Sequence, residues 1–209
     1  MRISIILPVY VFSNDLINLT KDCLLSLEGQ YDEMIIIDNN SPLLGEEWQK
    51  KSTTYIRNKT NLGFGAAADQ GFKLATGDYI CLVTNDTRLQ KGNLKDLCAA
   101  ANKGYSFPRI TGKEFPEWDG AFFMFSRKVM EKNGIYDERF YPGYFEDSDL
   151  FYRATLKKLK LTRVDSVEVL HHQSQTSKPM GVRQTAYDAC RDKFKEKWGF
   201  DFIERMWLK

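Results

Sequence analysis

Short apolar runs alternating with helix-patterned segments over the first hundred residues constrain this chain more than any other feature. Residues 3–7, Ile-Ser-Ile-Ile-Leu, are almost wholly apolar, as a strand buried on both faces must be. Leu16, Leu19, Cys23, Leu24 and Leu27 recur at helical spacing, and Gly29 is placed to stop that helix. Residues 34–37 form a second apolar strand running into Asp38-Asn39-Asn40-Ser41-Pro42, and residues 54–57 a shorter third. A helix over 66–75 closed by Gly77 follows, then a buried strand over 79–83 ending in Thr84-Asn85-Asp86-Thr87, and a helix over 94–101. The alternation predicts an α/β domain whose mainly parallel, twisted sheet is flanked by helices. Ligands of such sheets bind beyond the carboxyl ends of the strands, where Asp38 and Asp86 both fall.

The second half is less regular. Residues 120–126 read as an aromatic-rich strand, and 127–132 as a short helix stopped by Asn133-Gly134. Residues 140–144, with Pro142-Gly143, read as a loop. A helix over 147–157 begins at Glu146-Asp147, and strand residues over 162–170 run into His171-His172. Val182, Ala186, Cys190, Phe194 and Trp198 share one side of a helix over 182–198. A length of 209 residues suits one domain. We divide it into a nucleotide-binding half (1–103), an acceptor and catalytic half (104–178) and a helical tail (179–209).

Lys and Arg number 30 against 28 Asp and Glu, so no global charge argues for nucleic acid or an anionic membrane. The four cysteines, Cys23, Cys81, Cys98 and Cys190, form no C-x-x-C pair and lie in helix- or strand-like stretches, as buried free thiols of a reducing compartment do. No run approaches the roughly 18 apolar residues of a membrane span, and nothing resembles a secretion signal. The expectation is a cytoplasmic protein with no transmembrane segment.

Four constellations carry chemistry, and each also has a plain structural explanation. Asp86 after a buried strand is placed to hold Mn²⁺ or Mg²⁺ on a diphosphate, or simply to cap a turn. Glu146, Asp147 and Asp149 at a helix start complement the macrodipole, or supply a general base whose pKa is raised by neighbouring charge and burial. His171 and His172 are the only histidines, and on a strand at most one of them faces a cleft. Residues 61–71 contain G-x-G-x-x-A from Gly63 to Ala68, the loose dinucleotide fingerprint. Five residues separate Gly63 from the strand ending near Arg57, whereas that fingerprint needs its glycine at the turn.

In this order the motifs resemble the inverting family 2 glycosyltransferases of the GT-A fold, in their rhamnosyltransferase-like branch, over residues 3–176. Residues 5–10, Ile-Ile-Leu-Pro-Val-Tyr, are similar to that family's opening strand, and residues 35–41 to its second strand with the base-contacting aspartate. Asn61-Leu62-Gly63-Phe64-Gly65 is similar to the N-x-G-x-[AG] segment along the nucleotide, and Thr84-Asn85-Asp86 stands in place of D-x-D. Residues 120–124 resemble the strand beside the donor sugar. Residues 136–140 followed by 145–150 match D-E-x-F…E-D-x-D-L, and His171-x-x-Ser174-x-Thr176 resembles H-x-x-[GS]-x-[ST]. Thr84 and Asn85 depart from the family pattern, which more often has acidic residues there. Many relatives continue further past the His171 segment, which implies a small acceptor-binding part here, or one partly supplied by another subunit.

The resemblance implies transfer of a sugar from a UDP- or dTDP-sugar to an acceptor hydroxyl of a glycan, lipid, protein or modified nucleic acid. Asp147 is then the general base, with Glu146 the second choice. Asp86 and His171 are the implied metal ligands. Pro8, Tyr10, Asp38, Asn61, Gly63, Asn85, Asp86, Trp118, Asp119 and Gly120 are the implied donor contacts, with Asp38 on the base. Arg183, Arg191, Lys193, Lys195 and Lys197, followed by Phe200, Phe202, Ile203, Met206, Trp207 and Leu208, read as a packed helix with a basic face, a homodimer contact or an anion-binding patch. A catalytically silent nucleotide- or sugar-binding module and an NAD-dependent Rossmann enzyme are the alternatives.

Overall fold

The computed structural model describes residues 1–43, 46–111, 120–172 and 183–201. Trp118, Asp119, Ser174, Thr176, Val182 and the apolar run from Phe202 to Leu208 lie outside them.

Every residue of β1 (Ile3–Val9) is buried. Successive side chains take opposite faces, so Ile3, Ile5, Leu7 and Val9 enter one core and Ile6 the other. β2 (Glu33–Asp38) repeats the pattern, with Met34 and Ile36 on the first face and Ile35 and Ile37 on the second. Two-sided burial of this kind requires helices on both faces. On the first face lie Leu16, Cys23 and Leu24 of α1 (Asn14–Ser26), while Trp48 of α2 (Glu46–Lys51) also joins that core. On the second lie Ala67, Ala68 and Phe72 of α3 (Phe64–Leu74).

Among the described residues the sheet has eight strands. After β3 (Thr54–Arg57) and β4 (Tyr79–Val83) come β5 (Thr87–Lys91), β6 (Gly104–Thr111), β7 (Phe122–Ser126) and β8 (Lys160–His171). Their spatial order is β3-β2-β1-β4-β7-β6-β8-β5. β1–β2, β1–β4, β2–β3 and β6–β8 pair in parallel, while β4–β7, β6–β7 and β5–β8 are antiparallel. The remaining helices are α4 (Cys98–Ala101), α5 (Arg127–Asn133), α6 (Glu146–Leu156) and α7 (Arg183–Trp198). Leu150, Phe151 and Ala154 of α6 pack on Tyr105, Phe107, Phe123 and Phe125 of the sheet. A third cluster joins Cys190 and Phe194 of α7 to Phe140 and Phe145. The described part of α7 therefore gives its apolar side to the molecule's own core.

The helix predicted over 94–101 is a 3-10 turn, Leu94–Leu97, running into α4; Asn93 and Asp96 close a reciprocal capping box at its start. β5 and β6 went unread for physical reasons. β5 is a polar edge strand with only Thr87 buried. β6 carries Pro108, which removes a ladder donor and stands where the register against β8 shifts.

The pairing directions fix where ligands meet the fold. The carboxyl ends of β1, β2, β3, β4, β6 and β8 and the amino ends of β5 and β7 all lie on one edge of the sheet. That edge gathers Tyr10, Asp38, Arg57, Asp86, Ala121 and His171 from segments far apart in the chain.

Candidate active site

At the end of β2, Asp38 is fully buried and wholly engaged. Its Oδ1 accepts the Ser41 N–H at 2.7 Å. Its Oδ2 accepts the Tyr55 hydroxyl at 2.7 Å and pairs with Arg57, whose other guanidinium nitrogen donates to the Ser41 carbonyl at 3.0 Å. Arg57, 36% exposed, is the member of this trio that faces solvent.

Beside it lies an amide network that pattern reading missed. Asn39 Nδ2 donates to Asn61 Oδ1 at 2.7 Å and to the Gly63 carbonyl at 3.1 Å. Its Oδ1 accepts from Asn58 Nδ2 at 3.1 Å and from the Leu62 N–H at 2.9 Å. Both donors and both acceptor positions of Asn39 are thus used. Asn58 and Gln70 exchange a further pair of bonds, at 2.9 and 3.0 Å. The N-x-x-N spacing of Asn58 and Asn61 was the available signal. The network pins the Asn61-Leu62-Gly63 loop over the end of β2. Gly63 has φ +85 and caps α3, and the Phe64 N–H donates to the Pro142 carbonyl at 3.1 Å. The glycine stands in a loop folded against the Tyr141-Pro142 segment, not at a strand-to-helix turn, so the dinucleotide-fingerprint geometry is not formed.

Asp86 and His171 meet across the β5–β8 pair. His171 Nε2 lies 3.4 Å from Asp86 Oδ1, which also accepts the Thr84 hydroxyl at 2.8 Å. Burial alone would raise the Asp86 carboxyl; the hydrogen bond and charge of His171 and the Thr84 hydroxyl outweigh it and hold the group below its ordinary range. His172 is exposed, and its N–H donates to the Asp86 carbonyl at 2.9 Å. Asn85 turns inward to Thr20 at 2.9 Å and supports the turn. A carboxylate and an imidazole 3.4 Å apart are two groups that could together hold a divalent cation, which would supply charge for a diphosphate. Among the described residues no group of three or more His, Cys, Asp or Glu side chains is placed for a metal.

α6 begins in the same place. The Thr84 N–H donates to the Ala121 carbonyl at 2.8 Å, and Gly120 lies directly against Asp147. A methyl built on Gly65, at the start of α3, would sit 3.8 Å from Glu146 Cβ, so the starts of α3 and α6 abut. Asp147 Oδ1 accepts the Ser148 N–H at 2.6 Å. Glu146 is 7% exposed, and its Oε2 has no hydrogen-bond partner among the described residues. Burial, followed by the charge of Asp147, pushes Glu146 up to about 8. Tyr144 and Phe145, just before it, have φ +79 and +67, a left-handed pair that costs non-glycine residues about 1–3 kcal/mol each. Asp149 is structural: fully buried, it accepts from Arg153 Nε at 2.8 Å and Trp198 Nε1 at 2.9 Å, and pairs with Lys197. Pro8, within buried β1, and partly exposed Tyr10 stand at the same edge. Trp118 and Asp119 precede Gly120 outside the described residues.

An eight-stranded mixed sheet flanked by helices is the GT-A architecture. The chain belongs to glycosyl transferase family 2, whose sequence model matches residues 4–146. It is similar to the amylovoran biosynthesis glycosyltransferase AmsB of Erwinia amylovora, with 28% identity over 96% of this chain and 65% of that protein. It is also similar to the dolichol-phosphate mannosyltransferase of Pyrococcus furiosus, with 26% identity over 65% of this chain and 40% of that protein. The chain thus spans less than two thirds of the length of either relative. Among solved structures, GalNAc-T7 with UDP, GalNAc and Mn²⁺ superposes with a TM-score of 0.70 at 14% identity, covering 82% of this chain and 44% of that one. S. aureus TarS 1–349 in complex with UDP-GlcNAc gives 0.66 at 15% identity, covering all of this chain and 76% of that one. At such identities the likeness concerns the fold.

Proposed function

We propose that this chain is an inverting glycosyltransferase that moves a sugar from a UDP- or dTDP-sugar to an acceptor hydroxyl on a glycan, lipid, protein or modified nucleic acid. The observation that supports the reading is that Gly120 lies against Asp147 while the next residue, Ala121, accepts the N–H of Thr84, two residues before the Asp86 that meets His171. UDP in the superposed GalNAc-T7 and UDP-GlcNAc in TarS support the donor class.

Asp147 takes the proton of the acceptor hydroxyl as its oxygen forms the bond to the anomeric carbon and the bond to the diphosphate breaks on the opposite face, inverting that carbon. Burial and the charge of Asp147 push the Glu146 carboxyl up, which favours its protonated form and makes Glu146 the second choice as base. Asp38 holds Arg57 and Tyr55 at the base pocket, and Arg57 presents donors to the carbonyl oxygens of uracil or thymine. Asn39 and Asn61 fix the Gly63 loop along the nucleotide. Pro8 and Tyr10 shape the pocket, and Asn85 supports the turn that carries Asp86. Asp86 and His171 would hold Mn²⁺ or Mg²⁺, which when bound stabilises the charge that grows on the leaving diphosphate. The four cysteines are buried free thiols, the state that a reducing cytoplasm maintains.

The reading is tested with a panel of UDP-, dTDP- and GDP-sugars, with and without Mn²⁺, scored for nucleoside diphosphate release. Metal-stimulated release from a UDP- or dTDP-sugar, with the stimulation lost in Asp86→Ala, supports it. Release from none of the panel, with no binding of UDP or dTDP, overturns it.

A further inference from the structure

We propose that α7, which lies beyond the residues matched by the family model, is a working part of this site: it holds the turn that aims Asp147, with Lys197 and Tyr187 as positioning residues. The inference rests on Asp147 being the base.

The turn before α6 places two successive non-glycine residues, Tyr144 and Phe145, in the left-handed region. Such a conformation lasts only where its surroundings over-determine it. α7 supplies those surroundings at three levels. The Tyr187 ring packs on Tyr144 at 5.7 Å and on Phe145 at 5.1 Å between centroids, and Phe194 packs on Phe145 at 5.8 Å. Ahead of the turn, the Tyr141 carbonyl accepts Lys193 Nζ at 3.0 Å and Cys190 Sγ at 3.5 Å. Beyond it, Lys197 Nζ bridges Asp137 Oδ2 at 2.7 Å and Asp149 Oδ1 at 2.5 Å, with Trp198 Nε1 donating to the same oxygen. Asp149 lies two residues past Asp147 in the first turn of α6 and is fully buried. Removing Lys197 takes one of two cations from the buried Asp149 carboxylate, leaving Arg153 and Trp198, and cuts the tie between Asp137 and the start of α6, which loosens that helix start. The Gly63 loop meets the Tyr141-Pro142 segment, which Lys193 and Cys190 hold and which substitution of Lys197 or Tyr187 leaves held, so loss of either positioning residue displaces the base and spares the donor pocket.

Lys197→Met, Lys197→Arg and Tyr187→Leu in the full chain test this, with far-UV circular dichroism as the folding check. UDP affinity is read by calorimetry, and kcat and KM with whichever donor of the panel is turned over. Lys197→Met and Tyr187→Leu should lower kcat about 10- to 100-fold, the loss expected of a reacting group misplaced by roughly 1 Å. Donor KM and UDP affinity should stay within about twofold, and Lys197→Arg, able to span both carboxylates, should restore most of kcat. If Lys197→Met does not fold, Tyr187→Leu carries the test, since it leaves the ion network in place. Unchanged kcat in the folded variants, or kcat and UDP affinity falling together, overturns the inference. A wild-type chain that binds no UDP and turns over no donor overturns the functional reading, and the inference with it.

Discussion

Gly120 leaves no room for a side chain beside Asp147: a methyl at its Cα would stand 2.4 Å from Asp147 Oδ2 and 2.7 Å from Asp147 Cβ. The glycine lets the β7 entry press against the first turn of α6, which brings the carboxylate to the edge where Asp86 lies. Gly120→Ala must push the carboxylate aside. The expected outcome is a fall in kcat of about 10- to 100-fold with UDP affinity intact, measured by steady-state turnover and calorimetry.

Gly63 plays the corresponding part for the nucleotide loop. At φ +85, a methyl there would meet the Pro142 carbonyl oxygen at 2.7 Å and the Tyr141 ring at 2.9 Å. Gly63→Ala therefore combines backbone strain with a clash against main chain, for a loss of about 1–3 kcal/mol. Thermal melts should show the lowered stability, and UDP titration a weakened donor affinity, because the loop held by Asn39 and Asn61 is displaced.

Glu146 gives a pH signature. Its carboxyl is held near 8 in the fold against an ordinary 4.5, so between those values the folded chain keeps a proton that the unfolded chain has lost. Stability from this group is therefore complete below about 4.5 and declines as pH rises toward 8, by at most ~1.4 kcal/mol per pH unit. Glu146→Gln, which mimics the neutral acid, should flatten that decline in denaturant titrations at pH 5 and pH 8. Some slope should persist from Asp69, whose buried carboxyl is held near 7 with the same sign. The variant should also keep more than about a tenth of kcat at neutral pH, because the base is its neighbour.

Strands buried on both faces were legible in the sequence because their composition is one-sided: residues 3–7, 34–37 and 79–83 have few alternatives. Asp86 and His171, far apart in the chain, fall at one end of the sheet, where His171 is buried and His172 exposed. Side-chain hydrogen bonding was not legible. Asp38 looks free in the sequence because Tyr55 and Arg57, which hold it, sit on a different strand. Asn39, Asn58, Asn61 and Gln70 read as loop and helix polar residues until the fold closes their network. Asp149 and Lys197, 48 positions apart, become partners only when α7 crosses α6. Such pairings depend on tertiary placement, which local periodicity does not encode.

The central claim, that Asp147 is the base, is tested most directly by Asp147→Asn in a single preparation assayed for both UDP binding and donor turnover to acceptor. The account predicts unchanged UDP affinity and a rate lowered by ~10²–10⁴, the usual cost of losing a general base. A variant that retains more than about a tenth of the wild-type rate contradicts it.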